Sequence, residues 1–231
     1  MLFFKKKEEI NPVEKKFEIV SLGVNCLPRT LLTRKNLKPR KAQGELSCPF
    51  DLVSHKVERI TYYIENDFVN YFDDLSFRVR SKGWWDFRKK GLWEKSDNTQ
   101  FFHDKDCKIN DKEKLVNRVS KRMDNFRKIL QNDKPIIFVQ ILSDSEDIEN
   151  LYRVLKKKRA DKPFKLIIFD VKNIITKEYE DVYVFKIPYP SDVPNYERYW
   201  NKKKYYDSSQ GRLFENSIKT SVELVIKELI K

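Results

Sequence analysis

The stretch Phe17-Glu18-Ile19-Val20-Ser21-Leu22-Gly23-Val24-Asn25-Cys26 sets the expected fold. From Phe17 to Val24 it is apolar and β-branched, which predicts a buried strand. Gly23 permits a sharp turn, and Pro28 suits the first turn of a helix. Cys26 therefore falls where a strand gives way to a helix N-terminus. Unpaired N–H groups and the positive end of the helix dipole favour thiolate there, so the position predicts a pKa below the ~8.5 of a free cysteine. The same position also suits a small buried hydrophobe, because free Cys is among the most buried residue types.

Downstream, strands and helices alternate. Leu31 and Leu32 mark a short helix, followed by a basic loop at Lys38-Pro39-Arg40-Lys41 and then Cys48-Pro49-Phe50-Asp51. Val57, Ile60, Ile64, Phe68 and Phe72 recur at helical spacing and predict a helix over 56–72. From 76 to 106 periodicity fails while Trp84, Trp85, Phe87, Trp93, Phe101 and Phe102 accumulate, which predicts an irregular aromatic-rich insertion or a substrate-facing lid. Asn110 with Glu113 reads as a capping box before a helix carrying Leu115, Val119, Met123, Phe126 and Leu130. Ile136 to Leu142 is an apolar strand, with Ser143 and Glu146 as the capping box of the helix after it. Phe164–Val171 and Val182–Ile187 are further strands, and a helix over 211–230 closes the pattern. The expected fold is α/β, a mainly parallel sheet with helices on both faces. Ligands gather at the carboxyl ends of such strands, and three of those ends carry polar groups: Asn25 with Cys26, Ser143 with Asp144, and Asp170.

Residues 1–15 read as a flexible basic lead-in and 16–231 as one domain containing the 76–106 segment. The chain carries 48 basic and 35 acidic residues, a net charge of +13. The two signs interleave, so nucleic acid is not the expected partner, although anionic or acyl-bearing substrates suit the excess. Three scattered cysteines suggest neither disulfides nor a zinc motif. No apolar run reaches membrane-spanning length, and a cytoplasmic location is expected. No Gly-rich phosphate loop appears, and no cofactor or metal is expected.

Only His55 and His103 can supply an imidazole, and His103, in Phe101-Phe102-His103-Asp104, is the better placed for a loop over the sheet edge. A Cys–His pair makes a nucleophile when a third group fixes the imidazole tautomer. Asp104, Asp106, Asp144 and Asp170 are candidates for that third role. His103 equally suits a half-buried loop position. Cys48 and Cys107 read as structural, and Asp51 either orients a neighbouring group or, the favoured role, caps the helix near Ser54.

Ser21-Leu22-Gly23-x-Asn25-Cys26, then Leu31 or Leu32, then Pro49-Phe50-Asp51, then Glu65-Asn66-Asp67-Phe68 resembles a bacterial family of unknown function classed as papain-like cysteine peptidases. The resemblance spans about 17–107 and implies Cys26 as nucleophile and His103 as its base. Leu52 stands where the family usually has Trp. A papain-like site implies a Gln upstream of the Cys and an antiparallel sheet. No Gln precedes Cys26, so Asn25 or backbone N–H groups are the expected oxyanion donors, and the periodicity predicts a parallel sheet. The strand-Gly-x-Asn-Cys-helix arrangement also looks like the start of proposed acyltransferases of polysaccharide biosynthesis, for which coenzyme A is a fitting donor. A third reading is a non-enzymatic basic adaptor that binds anionic partners.

Overall fold

The computed structural model describes residues 16–23, 25–40, 43–53, 55–73, 101, 104, 107, 112–142, 147–177, 179, 181–191, 193 and 202–230, with the backbone of 75–79 and 85–89. The proposed lead-in and most of the 76–106 segment lie outside these residues. The elements are β1 (Glu18–Ser21), α1 (Leu27–Arg34), a 3-10 turn (Pro49–Asp51), α2 (Val57–Glu65), β2 (Leu75–Val79), β3 (Trp85–Lys89), α3 (Lys112–Gln131), β4 (Ile136–Leu142), α4 (Ile148–Arg159), β5 (Phe164–Asp170), β6 (Val182–Lys186), α5 (Lys203–Tyr206) and α6 (Ser209–Leu229).

Four strands form one sheet in the order β1-β4-β5-β6, and every pair is parallel. Ser21 pairs with Val139, and Leu142 pairs with Asp170. The period-2 alternation of the strands sorts the core into two layers. Ile137, Val139, Ile141, Ile167 and Phe169 pack with Leu27 and Leu31 of α1 and with Phe214, Ile218 and Val222 of α6. Phe138, Leu142, Leu166 and Ile168 pack with residues of α2, α3 and α4, among them Ile60, Phe126 and Leu151. Each such side chain contributes about 1.5–3 kcal/mol on burial, so the two layers make this an α/β fold with helices on both faces of a parallel sheet. The order β1-β4-β5 also sets three strand ends side by side at the carboxyl edge.

Three elements differ from the sequence reading. The helix expected over 56–72 stops at Glu65, and Asp67, Phe68 and Asn70 take positive φ values of 51°, 60° and 61°. A left-handed Phe is uncommon, and tertiary bonds hold this one in place. Its ring is buried against Phe50 and Phe126, and Arg127 on α3 donates to the Asp67 carboxylate and carbonyl at 2.8 and 2.9 Å. The segment expected to be irregular contains an antiparallel ladder, β2 with β3, in which Phe77 stands opposite Phe87. At the start of α4 the N-cap is Asp147, whose carboxylate accepts from the Asn150 N–H at 3.0 Å. Ser143, Glu146 and Asn110 lie outside the described residues.

Candidate active site

β1 ends as Leu22 N–H makes its last ladder bond to Val139 O at 2.8 Å. The chain then folds back sharply. A Cβ on Gly23 would lie 2.0 Å from Asn25 O and 3.3 Å from Phe50 O, so this turn admits no side chain. Asn25 Oδ1 accepts from Leu27 N–H at 2.8 Å, and Cys26 becomes the N-cap of α1. The Cys26 carbonyl takes both the N–H and the hydroxyl of Thr30, at 3.0 and 2.9 Å. The thiol is thereby fixed at the carboxyl end of β1, in a residue only 5% exposed.

Beside this loop lies a buried polar cluster that the sequence reading did not assemble. Asp51, fully buried, accepts from Ser21 Oγ at 2.6 Å and from Cys48 N–H at 2.7 Å, and it forms an ion pair with Arg29 in the first turn of α1. Asp51 does not cap the following helix, whose N-cap is Lys56; its carboxylate instead closes the turn Pro49–Asp51 and ties β1 to α1. Lys38 reaches the outer edge of β1, donating to Ile19 O at 2.7 Å and pairing with Glu45 at 2.7 Å. Among the described residues β1 is an edge strand, and a buried cation there blocks further strand addition. Burial works against the Lys38 charge, but Asp51, Cys48 and Glu45 outweigh it, and its pKa lies above the ordinary lysine value. Spacing alone gave no sign of this cluster, because its members lie up to thirty residues apart. Leu52, next to it, is half-buried.

The Cys26 thiol does not behave as its position predicts. Burial pushes its pKa up to about 11, against a smaller lowering by a backbone hydrogen bond. The helix start offers little to offset that burial. The Leu27 N–H is engaged by Asn25, Pro28 has no N–H, and Cys26 makes no side-chain cap bond. The favourable field of the helix N-terminus is thus outweighed by loss of water. In the resting chain Cys26 is a thiol at neutral pH.

His55 is buried in an aromatic cluster, edge-on to Phe50, Tyr63 and Tyr71, with Nε2 2.8 Å from Tyr71 Oη. Burial, helped by the charge of Arg59, lowers its pKa to about 3, so its ring is neutral. His103 and Asp106 lie outside the described residues, as does Asp144. Their neighbours are anchored: Phe101, Asp104 and Cys107 are all buried. The Asp104 carboxylate receives Arg122 through two bonds of 3.0 and 2.8 Å and Arg118 through one of 3.0 Å, which pins Asp104 to α3. Asp170 accepts from Lys172 N–H at 3.3 Å and Ile175 N–H at 2.7 Å, organising the loop that follows β5. The sheet order brings the ends of β1, β4 and β5 together, with β4 between Cys26 and Asp170. Cys48 and Cys107 are buried, and burial raises the Cys48 pKa.

Among the described residues no group of three His, Cys, Asp or Glu side chains is arranged to hold a metal ion. No described helix is long and apolar enough to cross a membrane. Neither a search of curated proteins nor a search of solved structures gave a match. The family comparison did: residues 17–173, more than half of the chain and including Cys26, Asp51 and His103, match the family described as "putative papain-like cysteine peptidase (DUF1796)", and the chain belongs to that family.

Proposed function

We propose that this protein is a cysteine-dependent hydrolase of peptide or related acyl bonds, with Cys26 as nucleophile and His103 as general base. The observation that carries the reading is the placement of Cys26. It caps a helix at the carboxyl end of a parallel strand, within the stretch matched by the peptidase family. The assignment of the base follows from the histidine inventory. His55 is enclosed and bonded to Tyr71, which leaves His103 for proton transfer.

In this mechanism Cys26 Sγ attacks the scissile carbonyl carbon while its proton passes to the imidazole. The S–C bond forms, the carbonyl oxygen becomes an oxyanion, and the Asn25 amide and nearby backbone N–H groups donate to it. Collapse breaks the bond to the leaving group, which takes the proton from the imidazole. Water, deprotonated by the same ring, then hydrolyses the thioester and regenerates the thiol. Burial holds the proton on Cys26 and disfavours a preformed thiolate–imidazolium pair. Proton transfer therefore accompanies attack and does not precede it.

Hydrolysis of peptide amides and aryl esters by the full chain tests this reading. Cys26→Ala and His103→Ala should each abolish turnover with the fold intact by circular dichroism, since a nucleophile and its base act as a unit. Transfer from an acyl-coenzyme A without hydrolysis, or salt-sensitive binding of anionic polymers with no turnover, would overturn it.

A further inference from the structure

We propose that Asp51 is the positioning residue for Cys26, acting through Ser21 on one side of the thiol and Arg29 on the other. This rests on the assignment of Cys26 as nucleophile, but its test does not depend on turnover. Three chain segments meet at Asp51: the end of β1, the first turn of α1 and the 3-10 turn. The buried Asp51 carboxylate binds one group from each, at Ser21 Oγ, Arg29 and Cys48 N–H. Ser21 lies five residues before the thiol and Arg29 three after it, so the loop that carries Cys26 is clamped at both ends. The 3-10 turn also closes over this loop directly, because Phe50 O lies 3.3 Å from where a Gly23 Cβ would be. Every Asp51 bond is one it accepts, and a carboxylate can accept them all at once. An alanine there can accept none. An asparagine can keep the set: its oxygen takes Cys48 N–H and Arg29, and its amide donates to Ser21 Oγ, whose hydroxyl rotates to accept.

The consequence for Cys26 follows from the cause of its high pKa, which is burial. Releasing the clamp hydrates the sulfur and lets its pKa fall from about 11 toward 9.0. At pH 8 the thiolate fraction then rises up to about 100-fold, while lower basicity reduces intrinsic nucleophilicity by about eightfold. The net effect is alkylation about tenfold faster. Catalysis moves the other way, because a displaced thiol no longer meets the substrate carbonyl in line. Faster alkylation with slower turnover is the signature of a positioning residue.

The test is peptide-resolved iodoacetamide labelling of the full chain from about pH 7 to 11, a range that reaches the Cys26 pKa of about 11, in wild type, Asp51→Ala, Asp51→Asn and the milder Ser21→Ala. Cys107, anchored beside Asp104, serves as the internal control. Asp51→Ala and Ser21→Ala should accelerate labelling at Cys26 and lower its apparent pKa while Cys107 is unchanged. Asp51→Asn should return the Cys26 rate to within about threefold of wild type. Equal acceleration at Cys26 and Cys107 would mean general loosening and would overturn the proposal, as would an Asn variant no different from Ala. The nucleophile assignment fails separately, if Cys26→Ala retains hydrolysis.

Discussion

Lowering the pH should destabilise this protein through His55 before any carboxylate is titrated. The ring is enclosed by Phe50, Tyr63 and Tyr71, and its pKa falls from 6.5 to about 3 on folding. A base with a depressed folded pKa contributes stability that is fully present above its unfolded pKa and is lost as pH falls toward the folded value. The full loss between pH 6.5 and 3 is on the order of 5 kcal/mol, and the part between about pH 7.5 and 5 is about 2 kcal/mol. Carboxylates contribute little in that upper window, so it isolates the histidine. For a chain of this length, 2 kcal/mol corresponds to a Tm decrease of about 4–8 °C. The assay is urea or thermal unfolding at half-unit pH steps, comparing wild type with His55→Gln. The glutamine amide can reach Tyr71 Oη in place of Nε2 but does not titrate. Wild type should lose the ~2 kcal/mol and the variant should show a nearly flat profile. His103 is common to both chains and drops out of the difference. Parallel pH profiles for the two proteins would refute the reasoning, because they would show that the His55 environment does not set the dependence.

Gly23→Ala should cost about 2–4 kcal/mol in urea unfolding, because a methyl 2.0 Å from Asn25 O forces the Cys26 loop open. A loss below about 1 kcal/mol would mean that the loop has room to spare. Gln140 is fully buried in β4, and neither atom of its amide has a partner among the described residues. Gln140→Met, of similar volume, should therefore raise stability by about 1–3 kcal/mol, read as a higher Tm. A lower Tm would show that the amide is bonded in the native chain.

Periodicity carried most of the fold. Ile136–Leu142 and Phe164–Val171 are continuous apolar runs of strand length, and a strand buried on both faces has no other way to look. The strand order did not show, because a four-residue edge strand such as Glu18–Ser21 and a central one share the same composition. The β2–β3 ladder was missed for a related reason. Its alternation of Leu75, Phe77 and Val79 against Trp85 and Phe87 is short and sits in a stretch crowded with aromatics. At the site, Gly23, Asn25 and Cys26 were legible because a tight turn into a helix needs these residue types in that order. The pKa of Cys26 was not, since the sequence gives the helix dipole but not the water that folding removes. Asp51 shows the same limit. A carboxylate beside a turn is readable as a cap, but not which turn it closes, and its bonds to Ser21 and Arg29 exist only after folding brings three segments together.

The most direct measurement of the central claim is trapping of the acyl-enzyme. The full chain is mixed with an activated aryl ester near neutral pH, quenched in acid within the first turnover and analysed by intact mass and peptide mapping. The account predicts the mass increase of a single acyl group, located on Cys26 Sγ, released by hydroxylamine and absent from Cys26→Ala. An acyl group carried equally by Cys26→Ala, or ester hydrolysis at full rate with the label on lysines alone, would contradict it.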